Sequence, residues 1–396
     1  MKKNACKWLA TGAGAALIAS ACGSSSHSSA ASGPTSKTIF IGVEGTLSGA
    51  APLPAFTDGA VAYLKQANAT HAVPGYTFAW KVSDTANNGP QTLTVSRDLV
   101  QANHADALIS FGSIPIDALK PAAASLKVPI IASGDGDLFL PAQPSLFGAT
   151  PSYLAMWHYA LQLASKHFNQ SSVSIVYQND SFGQPADTAG KQFASSSGVT
   201  VSTSVPVPNT TTSDFTPYAA RLKASNAPLV IAALAPSLLA GIVSAANSIG
   251  YHPIWLTNWG AEVSSVVSAI GSAISQTYAV DFLPPIATTT TSAMQAYKAG
   301  MAASDPADTS NEFAEQGWDE AAVLVTSIQQ VVSAKKAVTP SSIQTAMSGL
   351  SNASIGTMTG ITYSSSQHFG VTSMALLAYS GGQWREITPF VSLPAA

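Results

Sequence analysis

The sequence has few residues whose types and spacing match a known catalytic or cofactor-binding motif. The sequence contains no GxSxG nucleophile motif, no Walker loop for a phosphate and no GxGxxG motif for a dinucleotide. No zinc-ligand spacing occurs among the histidines, which are His27, His71, His104, His158, His167, His252 and His368. We therefore predict a protein that is not an enzyme and that needs no metal or organic cofactor.

Carboxylates are clustered at two separate places in the sequence. Glu315, Asp319 and Glu320 fall on one predicted helix, where acidic residues at this spacing usually form a solvated face. The segment Asp135-Gly136-Asp137 has the acidic start of a calcium loop but lacks the remaining ligands. We therefore predict that neither group catalyses a reaction or holds a metal ion.

The first predicted strand and its loop suggest a place for a ligand. Residues 38–43 form an uncharged run rich in β-branched side chains, which is typical of a strand buried on both faces. A loop of small residues at 45–52 and a predicted helix at 58–68 follow it. In parallel α/β units of this kind, ligands bind outside the carboxyl ends of the strands. Ser48 is therefore a candidate ligand contact, although Leu47-Ser48-Gly49 could also be a simple turn.

The same order of strand, loop and helix recurs along the chain. In the first half, further strands are predicted at 78–82, 105–111 and 128–132. In the second half they are predicted at 172–177, 199–207, 228–234 and 253–258, and the chain closes with strands at 360–363 and 374–379. Strands that alternate with helices at short spacing indicate parallel sheets. We predict an α/β protein with two doubly wound parallel-sheet lobes.

The composition indicates a weakly charged globular protein. The 396 residues are enough for two domains of ordinary size. Hydrophobic residues make up 46% of the chain, but charged residues only 9%, well below the usual quarter. The net charge of −3 argues against a nucleic-acid partner, because such a partner would require a basic patch.

The amino terminus has the features of an export signal. Lys2, Lys3 and Lys7 make a basic start, and residues 8–21 form an uncharged segment that is too short to span a bilayer. We predict that residues 1–21 are a signal peptide. Its removal would take away three lysines and lower the net charge from −3 to −6.

Cys22 is the candidate site of a lipid anchor. The segment from Leu17 to Gly23 resembles a bacterial lipobox, although Ala19 stands where leucine is usual. The resemblance implies that Cys22 becomes the lipid-modified first residue of the mature chain, on the extracytoplasmic face of the cell membrane. The alternative is ordinary secretion with an incidental cysteine. Residues 22–37 are dominated by small and polar residues, and we predict that they form a flexible tether.

The whole order of elements resembles that of type I periplasmic binding proteins, in particular the branched-chain amino acid and amide group of ABC transporter lipoproteins, which includes leucine-binding proteins. The resemblance covers about residues 38–390. It is carried by short segments in the expected order: Ile41-Gly42, Leu47-Ser48-Gly49, Asp84, Arg97-Asp98-Leu99-Val100, Gly112, Pro121, Val128-Pro129-Ile130, Ile175-Val176-Tyr177, Phe182-Gly183, Asp214-Phe215, Gly250-Tyr251-His252-Pro253 and Gly360-Ile361-Thr362-Tyr363.

This resemblance implies two lobes joined by a hinge of three crossovers. The crossovers are expected near residues 148–153, 278–285 and 356–361. Lobe 1 would then consist of residues 38–150 and 285–355, and lobe 2 of residues 151–280 and 360–396. Proteins of this class close the two lobes around a ligand.

The resemblance also implies a ligand site between the lobes. Ser48, the pair Gly112-Ser113 and the pair Gly134-Asp135 would meet in the wall of lobe 1. Small residues at such places let backbone N–H groups and hydroxyls reach a ligand carboxylate or carbonyl. Phe182 falls where the family commonly carries an aromatic residue from lobe 2, although it could equally pack on its own helix.

The candidate site departs from the family pattern at several positions. Trp259 stands where the amino-acid binders carry the acidic residue that holds the ligand ammonium, and Ile116-Asp117 replaces a serine. The loop at 134–137 replaces a small residue and a threonine. An ordinary α-amino acid is therefore not the expected ligand. Asp117 or Asp135 could face a cationic or amide group, or could be a solvated residue or a helix N-cap.

Trp259 ends a predicted buried strand at the expected edge of the cleft. An indole cannot form an ion pair with an ammonium group, but its face can cover an apolar group, an aromatic group or a delocalised cation. Phe182 could supply the facing wall. The alternative is that Trp259 packs into lobe 2 without touching the ligand.

From these observations we expect an extracytoplasmic solute-binding lipoprotein. It would bind a small polar or amphipathic solute, similar to an amino acid or an amide, by hinge closure and deliver it to the permease of an ABC importer. It is expected to be a monomer that is attached to the membrane through its lipid. One alternative is an extracellular ligand sensor of the same fold, and a weaker one is a secreted hydrolase.

Overall fold

A computed structural model describes residues 37–49 and 52–394. The predicted signal peptide, Cys22 and nearly all of the predicted tether lie outside the described residues. Among the helices of the described part, none is long and apolar enough to cross a membrane.

The first sheet is built from strands of the first half of the chain. They are β1 (Lys37–Gly45), β2 (Tyr76–Asp84), β3 (Ala107–Phe111), β4 (Ile130–Ser133) and β5 (Leu146–Gly148). All pairs are parallel, in the order β2-β1-β3-β4-β5. Residues 41–45 of β1 are buried, which explains the uncharged β-branched run in the sequence because a strand inside a parallel sheet is covered on both faces.

Short helices connect the strands of this sheet. They are α1 (Ala55–Ala69), α2 (Gly89–Gln101), α3 (Ser113–Leu119) and α4 (Ala123–Leu126). Helix α2 begins at Gly89 with Pro90 in its first turn, and the Asn88 side chain accepts a hydrogen bond from the Gln91 N–H at 3.0 Å. The cap and the proline together fix the start of α2 because both suit the first turn of a helix.

The second sheet has a parallel part and an antiparallel edge. The parallel strands are β6 (Ser172–Gln178), β7 (Thr200–Val207), β8 (Leu229–Ala233), β9 (Ile254–Asn258) and β10 (Thr277–Asp281). A separate two-stranded sheet is formed by β11 (Ala353–Ile355) and β12 (Met358–Ile361). The antiparallel edge is formed by β13 (Ser373–Ser380), β14 (Gln383–Glu386) and β15 (Val391–Ser392). The order is β14-β13-β10-β9-β8-β6-β7, with β15 paired to β13.

The helices between these strands complete the second lobe. They are α5 (Tyr153–Lys166), α6 (Gln184–Phe193), α7 (Thr216–Ser225), α8 (Pro236–Ser248) and α9 (Ser264–Ile270). Short 3-10 helices lie at Gly136–Phe139, Trp259–Glu262, Gly271–Gln276 and Pro306–Asp308. The two sheets with their helices confirm the predicted α/β fold of parallel-sheet lobes.

The chain returns to the first lobe after β10. It forms α10 (Ser292–Ser304), α11 (Glu312–Ser333) and α12 (Pro340–Ser348). Helix α11 packs on α1 so closely that a Cβ atom at Gly59 would lie 1.8 Å from the carbonyl oxygen of Ala314. A Cβ atom at Gly317 would lie 1.9 Å from the carbonyl oxygen of Phe56. Glycines on both helices therefore allow the backbone-to-backbone contact that holds α11 on the first lobe.

Three connections join the lobes: after β5, after β10 and before β13. The segment before β13 first runs along β5, where the Gly148 N–H donates to the His368 carbonyl at 2.8 Å. The Gly370 N–H in turn donates to the Gly148 carbonyl at 2.7 Å. The residue boundaries of the two lobes remain a prediction.

Candidate ligand-binding site

A cavity of about 370 Å³ lies between the two sheets. One wall is made by the loops after β1, β2, β3 and β4, and the other by the loops after β6, β7, β8 and β9. Helix α11 adds Phe313 and Gln316 to the first wall. All these loops follow the carboxyl ends of parallel strands, which is where ligand sites of open α/β sheets form.

Aromatic side chains form much of the second-lobe wall. Trp259 and Phe182, both predicted site residues, line the cavity together with Tyr153. The Tyr153 ring lies 5.6 Å from the Phe182 ring and 5.7 Å from the Trp259 ring, centroid to centroid. Trp259 also packs edge-on at 5.0 Å against Phe282, and only 2% of its surface is exposed. Trp259 is therefore both a packed residue of the lobe and part of the cavity wall.

Three of the predicted first-lobe residues, Gly112, Ser113 and Gly134, line the opposite wall. Gly112 has a φ of 105°, a backbone conformation that other residues adopt only with strain. The Ser113 hydroxyl accepts a hydrogen bond from the Asp135 N–H at 3.1 Å. The small residues thus shape this wall, but the Ser113 hydroxyl is already engaged inside the protein.

Ser48 and Asp117 are not brought to the cavity. Ser48 is exposed, and its hydroxyl donates to Asp84 at 2.5 Å. The other Asp84 oxygen accepts from the Leu47 N–H at 2.9 Å and from the Ala86 N–H at 2.8 Å, so the residues after β1 are held as a turn. Asp117 is exposed on α3, whose inner face is occupied by Ile116 and Leu119.

Asp135 is buried and does not line the cavity. One of its oxygens accepts from the backbone N–H groups of Asp137, at 3.1 Å, and Tyr153, at 2.9 Å. Burial and then the nearby Asp137 carboxylate raise the pKa of Asp135. Asp135 is therefore the N-cap of the short helix Gly136–Phe139, which was the alternative to a ligand contact.

Asp180 is the one charged side chain among the described residues that line the cavity. One of its oxygens accepts from Gln178 Nε2 at 2.6 Å and from Asn209 Nδ2 at 3.0 Å. The other accepts from the Phe182 N–H at 3.0 Å. Phe182 of this loop was a predicted site residue and Asp180 was not, although an acidic residue in a loop directly after a buried strand was a usable signal.

Gln316 lines the cavity from α11 and was also missed. Its Oε1 accepts a hydrogen bond from the Ser133 hydroxyl at 2.8 Å, while its Nε2 is buried without a partner. Ser133, at the end of β4, is 183 positions away in the sequence. No local sequence pattern could have connected the two residues.

Five buried carboxyl groups gather behind the cavity, where the lobes join. We call them the hinge carboxyls: Asp281, Glu312, Glu315, Asp319 and Glu320. At most 2% of the surface of each is exposed, so the prediction of a solvated face for Glu315, Asp319 and Glu320 was wrong. That face of α11 is instead covered by the segments that connect the lobes.

The hinge carboxyls contact all three connections between the lobes. Thr357 hydrogen-bonds to both Glu315 and Asp319 at 2.6 Å, and the Glu320 carboxylate accepts from the Ala149 N–H. Asp281 lies at the start of the connection after β10 and accepts from the Leu283 N–H at 2.9 Å. Acidic side chains of α11 are therefore hydrogen-bonded to two of the three connections, and the third begins at Asp281.

Among the described residues, no lysine, arginine or histidine forms a salt bridge with the hinge carboxyls. The salt bridges found within the described ranges join Lys81 to Asp98 and Lys191 to Asp187, far from the hinge in sequence. Burial is the main cause that raises the pKa of every hinge carboxyl, and neighbouring carboxylates raise that of Glu315 further. Their neutral, protonated forms are therefore favoured over an array of like charges in a buried region.

Three other carboxylates come together outside the cavity. Asp58, Asp305 and Asp308 each offer an oxygen within 4.8 Å of the others. Burial and then the charges of Asp305 and Asp308 raise the pKa of Asp58. Such half-exposed acidic groups are common without a metal, and this group alone assigns no site.

Comparisons with known proteins agree with this geometry. A family model described as "periplasmic binding protein" matches residues 38–383. The search of curated proteins found no match.

Several solved structures have the same fold. A branched chain amino acid ABC transporter protein from Thermus thermophilus with bound valine is 19% identical, with a TM-score of 0.82, 90% of this chain covered and 97% of that one. A fatty acid ABC transporter substrate-binding protein from Thermomonospora curvata is 18% identical, with a TM-score of 0.79 and 91% and 94% covered. The substrate binding protein LivJ from Streptococcus pneumoniae, in complex with isoleucine, is 16% identical, with a TM-score of 0.77 and 89% and 100% covered.

Proposed function

This chain belongs to the periplasmic binding protein family, and we propose that it is the extracytoplasmic solute-binding lipoprotein of an ABC importer. Proteins of this family bind solutes and are not enzymes. The proposed ligand is a small amphipathic solute that enters the cavity between the lobes. The proposed lipid anchor is Cys22, which would hold the protein at the outer face of the membrane near a permease.

The observation that carries this proposal is the cavity itself. Its volume of about 370 Å³ is at the small end of the range for small-molecule sites, which begins at about 300 Å³. It lies where both lobes contribute loops, so a bound solute would contact both lobes at once. A solute that binds the closed form better than the open form shifts the protein towards closure.

The aromatic wall favours a solute with an apolar or planar part. Trp259, Phe182 and Tyr153 offer ring surfaces to the cavity, and Phe111 and Phe313 face it from the first lobe. Similar structures include binders of valine, isoleucine and a fatty acid, so this fold accommodates solutes with apolar groups of different sizes.

We propose that leucine, isoleucine and valine bind weakly or not at all. Trp259 stands where the amino-acid binders of this family place the carboxylate that pairs with the ammonium group. Asp180 is the remaining candidate for that role, but four hydrogen-bond donors already surround it: Gln178 Nε2, Asn209 Nδ2 and the N–H groups of Phe182 and Gly183. Little of its accepting capacity is left for a ligand ammonium group.

A thermal-shift screen of the purified protein against amino acids, amides, ureas and aromatic acids tests the proposed function. A solute at about 100 times its dissociation constant adds about 2.7 kcal/mol to the free energy of unfolding, which raises the melting temperature measurably. We expect at least one amphipathic solute to do so. Calorimetry with leucine is the companion experiment, and binding at micromolar strength or tighter would contradict the proposed selectivity.

A further inference from the structure

The hinge carboxyls of the first lobe face a carboxyl group of the second lobe. Glu262 ends the 3-10 helix Trp259–Glu262 of the second lobe, and α11 of the first lobe packs against this short helix. Oε1 of Glu262 is buried without a hydrogen-bond partner, although part of the residue remains exposed. Burial and then the charges of Asp281, Glu312 and Glu315 raise the pKa of Glu262. Acidic groups of both lobes are therefore close together at the hinge.

The contacts of Thr357 require one proton on the hinge carboxyls. Its hydroxyl oxygen lies 2.6 Å from Oε1 of Glu315 and 2.6 Å from Oδ2 of Asp319. A hydroxyl has a single proton, so it can donate to only one of these two oxygens. The other short contact is a hydrogen bond only if that carboxyl is protonated and donates to the hydroxyl oxygen. At least one proton is therefore bound to the pair Glu315 and Asp319.

A second proton is required between Glu262 and Asp281. A hydrogen bond between their side chains raises the pKa of Glu262 and lowers that of Asp281. Ionised carboxylates can only accept, so this bond exists only when Glu262 carries a proton. Buried oxygens of Glu312, Glu315 and Glu320 have no hydrogen-bond partner, and an ionised oxygen in such a place is costly.

The other titratable groups nearby do not replace these protons. Burial raises the pKa values of the tyrosines that face the carboxyls, so they stay neutral: Tyr63, Tyr297 and Tyr363. Asp308 adds a further negative charge next to α11. His368 packs on Tyr363, and burial lowers its pKa, so it supplies no cation near neutral pH. Among the described residues, the group of carboxylates close enough to share a metal ion lies elsewhere.

The elements that carry these carboxyls also form walls of the cavity. Trp259 lines the cavity from the 3-10 helix, and Phe313 and Gln316 line it from α11. A movement that opens the cavity between these two elements therefore also separates Glu262 from the hinge carboxyls. Water then reaches the carboxyls and favours their ionised forms, which burial disfavours.

We propose that Glu262 and the hinge carboxyls form a proton-operated switch, in which bound protons stabilise the closed lobes and the loss of these protons at higher pH opens them. Solute affinity should then fall as the pH rises, because the closed form that holds the solute also holds the protons. This inference rests on the proposed solute-binding function and describes how the same cavity is regulated.

The direction and the pH range follow from proton binding. Burial raises the pKa of Asp281 to about 6 and that of Asp319 to about 7, from 3.8. Below these values and above the ordinary one, the closed form keeps protons that the open form has released. Each such proton lowers the ratio of closed to open molecules about tenfold for every pH unit. The ratio should therefore fall as the pH rises to about 7 and be level above it.

Distances between two spin labels measure the opening without any solute. The full chain carries Gln91→Cys and Ser213→Cys for labelling, and its own cysteines are removed by Cys6→Ser and Cys22→Ser. Both label sites are exposed and lie three residues beyond a cavity-lining residue, one on each lobe. We expect the ratio of short to long distances to fall at least about tenfold between pH 5 and pH 8, with unchanged far-UV circular dichroism. Distances that do not respond to pH, or a loss of the circular dichroism signal, would overturn the switch.

Glu262→Gln and Glu315→Gln identify the groups responsible. Glutamine keeps the shape of the side chain and stays neutral, so each variant releases one proton fewer on opening. The midpoint of opening should therefore move to higher pH by at least about half a unit. Glu262 is partly exposed, so its replacement disturbs the packing least. Opening at the wild-type midpoint in both variants would contradict the assignment.

Glu44→Gln and Glu386→Gln are the matched controls. Glu44 contacts Ser96 within the first lobe, and burial raises its pKa to about 7, so it titrates in the same pH range away from the hinge. Glu386 is exposed on β14. Neither replacement should move the midpoint of opening. A shift with Glu44→Gln as large as that with Glu262→Gln would refute the switch.

The same labelled protein separates the switch from the proposed function. Lobes that close around a solute from the thermal-shift screen but do not respond to pH would refute the switch and leave the proposed function standing. Lobes that respond neither to pH nor to any solute of the screen would refute both.

Discussion

Replacement of Glu44 by glutamine should remove a large step from the pH dependence of the stability of this protein. Glu44 is completely buried near the end of β1, which lies between β2 and β3 in the first sheet. One of its oxygens accepts from the Ser96 hydroxyl at 2.5 Å, and the other has no partner. Burial raises the pKa of Glu44 from 4.5 to about 7, although the nearby Ser96 and Ser110 hydroxyls oppose the rise.

The sign of the effect follows from proton binding. Between the unfolded pKa of about 4.5 and the folded pKa of about 7, the folded protein keeps a proton on Glu44 that the unfolded chain has released. The free energy of unfolding therefore falls as the pH rises through this window and is level above it. A shift of about 2.5 pKa units at about 1.36 kcal/mol each corresponds to a loss of about 3 kcal/mol.

Urea unfolding at pH 4.5 and at pH 8 measures this loss. Glu44→Gln keeps the shape and the hydrogen bond from Ser96 but does not titrate, so its stability should fall by about 3 kcal/mol less than that of the wild type over this pH range. Glu386→Gln, at an exposed position of β14, is the control and should follow the wild type within about 0.5 kcal/mol. Parallel pH profiles for the wild type and Glu44→Gln would refute a raised pKa at Glu44.

Two further predictions concern the cavity and the anchor. Trp259→Ala should weaken binding of the best solute by about tenfold or more, because an aromatic contact is typically worth about 1.5–3 kcal/mol. Trp384→Ala, at a buried tryptophan outside the cavity, is its control and should lower stability without changing affinity. If a folded Trp259→Ala variant binds the solute with unchanged affinity, Trp259 only packs within the protein and does not contact the ligand. Cys22→Ser should move the protein from the membrane fraction to the soluble fraction, and a variant that stays in the membrane would place the anchor elsewhere.

Much of the fold could be predicted because each buried parallel strand has a recognisable local pattern of uncharged, apolar residues. The first predicted strand, 38–43, lies within the observed β1 (Lys37–Gly45), and its uncharged run reflects burial on both faces. Helix α5 (Tyr153–Lys166) was missed. It has buried residues on most of its circumference, so it lacks the one-sided apolar pattern by which surface helices are recognised.

The site could be predicted only in part, because its decisive contacts are tertiary. Gly112, Ser113 and Gly134 follow predicted strands and line the cavity, whereas Ser48 follows one too and bonds to Asp84 instead. Gln316 carries no local signal, since its partner Ser133 belongs to a distant strand.

The burial of the acidic residues of α11 also depends on contacts with residues that are distant in the sequence. Their spacing is typical of a solvated helix face, and nothing local reveals that the connections between the lobes cover it. Thr357, which hydrogen-bonds to Glu315 and Asp319, is 42 and 38 positions away from them. Burial by distant segments is therefore the property that single-sequence reasoning predicts least well.

Small-angle scattering of the Cys22→Ser protein, with and without the solute that gives the largest thermal shift, tests most directly whether the cavity is a closing clamp. A solute that contacts both walls should draw the lobes together, and the radius of gyration should fall at saturation. An unchanged radius with a solute that is demonstrably bound would contradict binding by hinge closure.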